Sequence, residues 1–171
     1  WNVGTSWDNN NHDDVGFTRV LIDSVAAQFI VDLDRVYACG MSNGGYMAYE
    51  LACELADKIA AFGSVTGNFM LNSTQSCMNE RLIPIIDLHG TGDQTVPYYS
   101  SFDGSLTIAQ SIEYWRDFNE LTIENIESMP DIDLTDDTTV EKLTYSSENH
   151  STQFVHFKVI SGGHQWFGST I

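Results

Sequence analysis

Short apolar runs alternate along the chain with longer segments in which apolar residues recur every three or four positions. The runs are typical of buried strands, and the longer segments are typical of helices that pack on one side. The predicted strands cover residues 35–39, 59–65, 82–88, 138–145 and 153–160, and the predicted helices cover about 14–29, 45–56 and 105–121. Strands separated by helices predict an α/β fold with a mostly parallel sheet and helices on both faces.

Composition limits the classes that the chain can belong to. With 171 residues, 42% of them hydrophobic, the chain predicts a single domain over residues 1–171, with an acidic loop insertion at about 122–138. No run of about 18 apolar residues occurs, so no membrane span is predicted. A formal net charge of −17 with only seven Lys and Arg residues argues against a nucleic-acid partner.

One short segment, Gly40-Met41-Ser42-Asn43-Gly44, matches the pattern G-x-S-x-G. In α/β-hydrolases this pattern forms the sharp turn that lifts a serine hydroxyl above the sheet. Here it lies between the predicted strand 35–39 and the predicted helix 45–56, which is the context that the motif requires. The backbone N–H of Asn43, at the start of that helix, is then one predicted donor of the oxyanion hole.

A serine hydroxyl needs a base to become a strong nucleophile, and the base needs a third group to orient it. Two later loops supply these groups in the order that α/β-hydrolases use, first an acid and then a histidine. Asp93 lies on a Gly-rich loop just past the third predicted strand, and His164 follows two glycines just past the last one. The predicted triad is therefore Ser42 as nucleophile, His164 as base and Asp93 as acid, with activity rising as the base loses its proton.

Other polar residues receive weaker roles. His89, at a strand end near Asp93, is an alternative base or a wall of the substrate pocket. Asp87 lies inside a strand and is interpreted as a buried, hydrogen-bonded carboxylate. The remaining histidines are interpreted as surface or packing residues: His12, His150 and His156. The predicted aromatic rim of the substrate site consists of Tyr46, Tyr98, Tyr99 and Trp166.

Neither a metal nor a cofactor is predicted. No histidine pair has metal-ligand spacing near a carboxylate, and no Cys-x-x-Cys occurs. The segment 131–137 is rich in Asp but lacks the glycine and the final glutamate of a calcium loop, so it is interpreted as a solvated acidic loop.

The three cysteines do not specify a disulfide framework. Cys39 lies in a predicted buried strand and is expected to act as a small hydrophobic residue. Cys53 and Cys77 are candidates for a disulfide if the protein is exported.

Several motifs together resemble the polyhydroxybutyrate depolymerase and feruloyl esterase family, over most of the chain except residues 122–150. They are Asp13-Asp14-Val15-Gly16-Phe17, Asp32-Leu33-Asp34-Arg35-Val36-Tyr37, Gly40-Met41-Ser42-Asn43-Gly44-Gly45, His89-Gly90-Thr91-Gly92-Asp93 with Val96-Pro97-Tyr98, and Gly162-Gly163-His164-Gln165-Trp166. The resemblance implies an α/β-hydrolase that is usually secreted, with the same three triad residues. The family usually has Trp-Pro-Gly after the histidine, whereas Phe167 replaces the proline here, which is expected to alter the pocket rim.

The start of the chain, Trp1-Asn2-Val3-Gly4, resembles the segment just before the first helix of that family. The fold is therefore expected to be truncated on its N-terminal side, without its first strands and the loop that supplies a second oxyanion donor. Strand 35–39 would then have an open apolar edge. We expect a second copy of the chain, in a symmetric dimer, or residues outside this sequence to cover that edge.

These observations predict a serine carboxylesterase that acts on short-chain, polyhydroxyalkanoate-type or feruloyl-type esters, small or polymeric, and that is secreted. The alternative is a catalytically impaired α/β-hydrolase remnant that serves as a binding or scaffold domain. The intact triad favours the first hypothesis, and the missing front part of the fold favours the second.

Overall fold

The computed structural model describes residues 1–8, 11–77 and 81–169. The elements, in chain order, are α1 (Asp14–Gln28), a 3₁₀ turn (Leu33–Arg35), β1 (Tyr37–Met41), α2 (Asn43–Glu54), β2 (Ala61–Val65), α3 (Ser73–Ser76), β3 (Ile85–Gly90), α4 (Ile108–Phe118), β4 (Ile123–Ser128), β5 (Thr139–Ser146) and β6 (Phe154–Ile160). The strands form one sheet in the order β1-β2-β3-β6-β5-β4. The first four are mutually parallel, and β5 and β4 continue the sheet antiparallel. The predicted α/β class with a mostly parallel sheet is confirmed.

Strand β4 lies inside the segment that was predicted to be an acidic loop, so this part of the prediction is wrong. It pairs antiparallel with β5, with Ile126 opposite Leu143. All six residues of β4 are exposed because the strand forms the outer edge of the sheet. The alternation of apolar and polar residues that usually indicates a strand is weak here, since neither face of β4 is buried.

Helices α2 and α4 cover one face of the sheet and bury most of the core there. Tyr49 of α2 and Trp115 of α4 both pack on Phe62 of β2, with ring centroids 4.9 and 5.5 Å away. On the opposite face, Tyr37, Cys39 and Ile86 are exposed. Because β1, β2 and β3 follow one another in a single direction, right-handed crossovers place their helices on the same side.

Helix α1 begins as predicted, with the Asp13 side chain accepting a hydrogen bond from the Gly16 N–H at 2.7 Å. It packs beside α2, and Arg19 forms an ion pair with Asp57, which follows the end of α2. Most of its large apolar side chains remain exposed, including Leu21 and Phe29. Helix formation here therefore follows from capping and propensity more than from burial in the described part of the chain.

The expected cover on the β1 edge leads to a testable prediction for the 171-residue chain. Burial of each large apolar side chain is worth about 1.5–3 kcal/mol, so we expect the chain to self-associate at micromolar concentration in light scattering. Tyr37→Lys, on this edge strand, should shift the molecules towards monomers. Ile132→Lys, an equally apolar-to-basic change on the acidic loop, should not. A thermally cooperative wild-type monomer would contradict the prediction.

The structure forms a disulfide between Cys53, in α2, and Cys77, after α3. Cys39 is free and exposed on β1, so its expected role as a buried hydrophobic residue is wrong. The reason is that Cys39 lies on the same face of the described sheet as the exposed Ile86, opposite α2 and α4, on an edge strand. None of the described helices is long and apolar enough to cross a membrane.

Candidate active site

Ser42 lies in the turn that joins β1 to α2. Its φ of 56° and ψ of −122° are unusual for a residue with a side chain. Two glycines make the tight turn sterically allowed: a Cβ on Gly40 would lie 2.3 Å from the Gly44 carbonyl oxygen, and one on Gly45 would lie 2.7 Å from Ser64 Oγ. A Cβ on Gly44, the last residue of the motif, would have no neighbouring atom within 4 Å. The serine is thus held in a strained conformation by the packing of its neighbours.

The structure brings Ser42, His164 and Asp93 together at the carboxyl end of the sheet. Strands β3 and β6 are adjacent and parallel, so the loops that follow them meet at one edge. The Nδ1–H of His164 donates to Asp93 Oδ2 at 2.8 Å, and Ser42 Oγ donates to His164 Nε2 at 2.9 Å. Because a carboxylate only accepts hydrogen bonds, Nδ1 carries the proton and Nε2 can take one from the serine.

Asp93 is almost completely buried and is surrounded by donors. Its Oδ1 accepts hydrogen bonds from the backbone N–H groups of Thr95 and Val96, at 2.8 and 2.9 Å. Burial alone raises the pKa of this carboxyl. Hydrogen bonds from His89, His164 and the two backbone groups outweigh burial and lower the pKa from 3.8 to about 2. Asp93 is therefore ionised wherever a histidine base would be active.

This low pKa predicts how stability depends on pH. A carboxyl whose pKa is lower in the folded state stabilises the fold above its unfolded pKa and loses that effect as the pH falls through the folded value. The shift of Asp93 corresponds to about 2 kcal/mol. We expect the unfolding free energies of the wild type and Asp93→Asn, from urea titrations, to converge by that amount between pH 5 and pH 2. A difference that stays constant over this range would contradict the prediction.

The backbone N–H of Asn43 belongs to the first turn of α2, where N–H groups have no acceptor within the helix. This places a donor and the positive end of the helix dipole beside Ser42. The Asn43 side chain turns away to Trp1, accepting a hydrogen bond from its amino group at 2.6 Å and donating to its carbonyl oxygen at 3.1 Å. The position suits stabilisation of an oxyanion by the Asn43 N–H.

The predicted aromatic rim is only partly at the surface. Tyr46 is 1% exposed and packs in the core beside Trp7, and His89 is 0% exposed, so neither suits a role in substrate contact. Tyr98 is also buried, with its hydroxyl 2.8 Å from His156 Nε2. Trp166, at 46% exposed, stays a predicted substrate contact. The sequence identified these side chains as aromatic and near the motifs, but their orientation depends on tertiary packing.

Sequence reasoning missed a buried polar network behind the triad. Asp87 and His156 are register partners on β3 and β6, and the His156 Nδ1–H donates to Asp87 Oδ2 at 2.8 Å. The interpretation of Asp87 as a buried, hydrogen-bonded carboxylate is confirmed. His156 had been assigned no partner, although a histidine at an inward position of an apolar strand needs one.

Comparison with known proteins shows similarity to esterases. Feruloyl esterase B of Piromyces equi is 37% identical over 100 residues, which cover 57% of this chain and 18% of that protein. Feruloyl esterase C of Emericella nidulans is 29% identical over 109 residues, which cover 64% of this chain and 38% of that protein. The crystal structure of an acetyl xylan esterase from Aspergillus awamori superimposes with a TM-score of 0.61 and 13% identity, over 95% of this chain and 65% of that one.

The last likeness concerns the fold alone, given its low identity. No family model matches the chain. The chain spans less than half the length of the curated relatives it matches.

Proposed function

We propose that the chain, which has an α/β fold and is similar to feruloyl esterases, hydrolyses carboxylic esters through an acyl-enzyme on Ser42. The observation that carries this proposal is the continuous hydrogen-bonded series Ser42–His164–Asp93, with distances of 2.9 and 2.8 Å. A nucleophile, a base and an orienting acid in this geometry are the requirements of acyl transfer.

In the proposed reaction, Ser42 Oγ attacks the ester carbonyl carbon while His164 Nε2 takes the hydroxyl proton. Asp93 holds the imidazole in the correct tautomer and stabilises the imidazolium. The tetrahedral oxyanion accepts a hydrogen bond from the Asn43 N–H. Collapse of the intermediate breaks the bond to the alcohol, which receives its proton from His164. Water, activated by the same histidine, then releases the acid from Ser42.

The proposed substrates are feruloyl, acetyl and other short-chain esters, including polyhydroxyalkanoate-type polyesters. The names of the similar proteins support the first two classes. The exposed Trp166, two residues after His164 in the sequence, offers an apolar surface for an acyl or aryl group. We also propose an extracellular location. The disulfide between Cys53 and Cys77 supports it, since such bonds persist in oxidising compartments.

The test is steady-state hydrolysis of p-nitrophenyl acetate, methyl ferulate, acetylated xylan and a 3-hydroxybutyrate oligomer. We expect turnover of at least one ester, and a preference among them defines the acyl group. A folded chain that hydrolyses none of them above the buffer rate would overturn the proposal and favour the binding or scaffold remnant.

A further inference from the structure

A second histidine approaches the carboxylate of Asp93. His89 is fully buried at the end of β3, and its Nε2 lies 2.8 Å from the Val96 carbonyl oxygen and 3.4 Å from Asp93 Oδ2. Both neighbours are acceptors, so Nε2 carries a proton. The N–H donates to the Val96 carbonyl, and its positive end also approaches Asp93 Oδ2, the oxygen that accepts from His164 Nδ1.

His89 also closes the turn that carries the acid. Asp93 Oδ1 accepts a hydrogen bond from the Val96 N–H, while the Val96 carbonyl accepts one from His89. Val96 is thus held from both sides, and the segment from Asp93 to Val96 is tied to the end of β3. A carboxylate held at both oxygens has little freedom to rotate.

The ring of His89 is itself held in place. The Tyr98 ring lies edge-on to it, with centroids 5.8 Å apart and an interplanar angle of 73°. The Tyr98 hydroxyl contacts His156, which in turn donates to Asp87. The buried network of Asp87, His156 and Tyr98 therefore reaches the ring of His89.

We propose that His89 is a positioning residue, which fixes the Asp93 carboxylate and through it keeps the His164 ring aligned with Ser42. This inference rests on the proposed function. His89 touches no reacting atom, and its contribution is to orient the acid and to share the Oδ2 atom with the base.

Sharing of Oδ2 has a consequence for pH dependence. If the donor of His89 is removed, Oδ2 interacts with His164 alone, and the protonated form of His164 is favoured. The charged groups around His89 are Asp93 on the following loop and Asp87 on its own strand. Lys158, its register partner on β6, is paired with Glu141. The pH at which kcat is half-maximal should therefore rise when His89 cannot donate.

The experiment compares His89→Phe with His89→Gln on the ester that the wild type hydrolyses. Phe keeps a ring against Tyr98 but has no donor, whereas the amide nitrogen of Gln can occupy the place of Nε2. We expect Phe to lower kcat at least about tenfold with KM little changed, and to move the half-maximal pH upward. Gln should restore most of kcat and the wild-type pH profile.

Asn119→Ala is the matched control for lost stability. Asn119 is buried at the other end of β3, where its side chain exchanges two hydrogen bonds with the backbone of Ile83, at 2.8 and 2.9 Å. We expect this change to lower the melting temperature without moving the half-maximal pH. If His89→Phe does not fold, His89→Asn replaces it, since the shorter amide cannot reach the Val96 carbonyl.

Labelling of Ser42 by a fluorophosphonate separates the two proposals. Suppose that the wild type is labelled and active, that the His89 variants have the pH profile of the wild type, and that Gln restores no more kcat than Phe. This result would overturn the role of His89 and leave the proposed function standing. A wild type with neither label nor turnover would overturn both proposals.

Discussion

Replacing Ser42 with alanine is expected to reduce kcat for ester hydrolysis by about 10⁴-fold or more. The change removes the only atom that can form the acyl-enzyme in the proposed mechanism, and His164 then has no hydroxyl to deprotonate. Residual activity would come from water bound near the Asn43 N–H and from substrate binding alone.

The control is Ser24→Ala, which removes an exposed hydroxyl on α1 that donates to the Val20 carbonyl oxygen of the same helix. This variant should retain full activity and should be inactivated by the same inhibitors as the wild type. Peptide mapping after fluorophosphonate treatment should find the adduct on Ser42 in both the wild type and the control. An adduct on another residue, or a Ser42→Ala variant within tenfold of the wild type, would refute the assignment.

Asp93→Asn is expected to lower kcat by about 10⁴-fold while leaving the fold intact. The amide oxygen can keep the hydrogen bonds from the backbone N–H groups of Thr95 and Val96, so the NH₂ group is directed at His164. His164 Nδ1 must then accept a hydrogen bond, which moves the ring proton to Nε2. A protonated Nε2 cannot take the proton of Ser42.

Asp117→Asn makes the same chemical change at an exposed position on α4 and should leave kcat unchanged. The melting temperature of each variant at pH 7 shows whether the fold is retained. If Asp93→Asn keeps more than a tenth of the wild-type kcat, another residue orients the base.

The elements that local sequence could predict share a strong local signal. The start of α1, the turn at Ser42, and the strands β5 and β6 all appear within a few residues of their predicted positions. A cap, a glycine-bounded turn and an apolar alternation each act over a few residues, so they can be recognised without the rest of the fold.

The elements that sequence analysis missed depend on distant neighbours. Strand β4 has no buried residue and exists because its backbone pairs with β5. Cys39 and Tyr37 are exposed because they lie, like Ile86 of β3, on the face of the described sheet that is opposite α2 and α4. The local pattern of apolar residues does not indicate which strand pairs at the edge of a sheet. It also does not indicate on which face of the sheet the connecting helices lie.

The sequence by itself determined which residues are available for the chemistry: a serine in a tight turn, and an acid and a histidine on loops past two later strands. Tertiary structure decided how they are held. Parallel pairing of β3 with β6 places Asp93 beside His164, and burial turns His89 and Tyr98 inward, behind the acid instead of into a substrate pocket. The physical reason is that residue type and order are local properties, whereas distance, orientation and pKa arise only when segments far apart in the chain pack together.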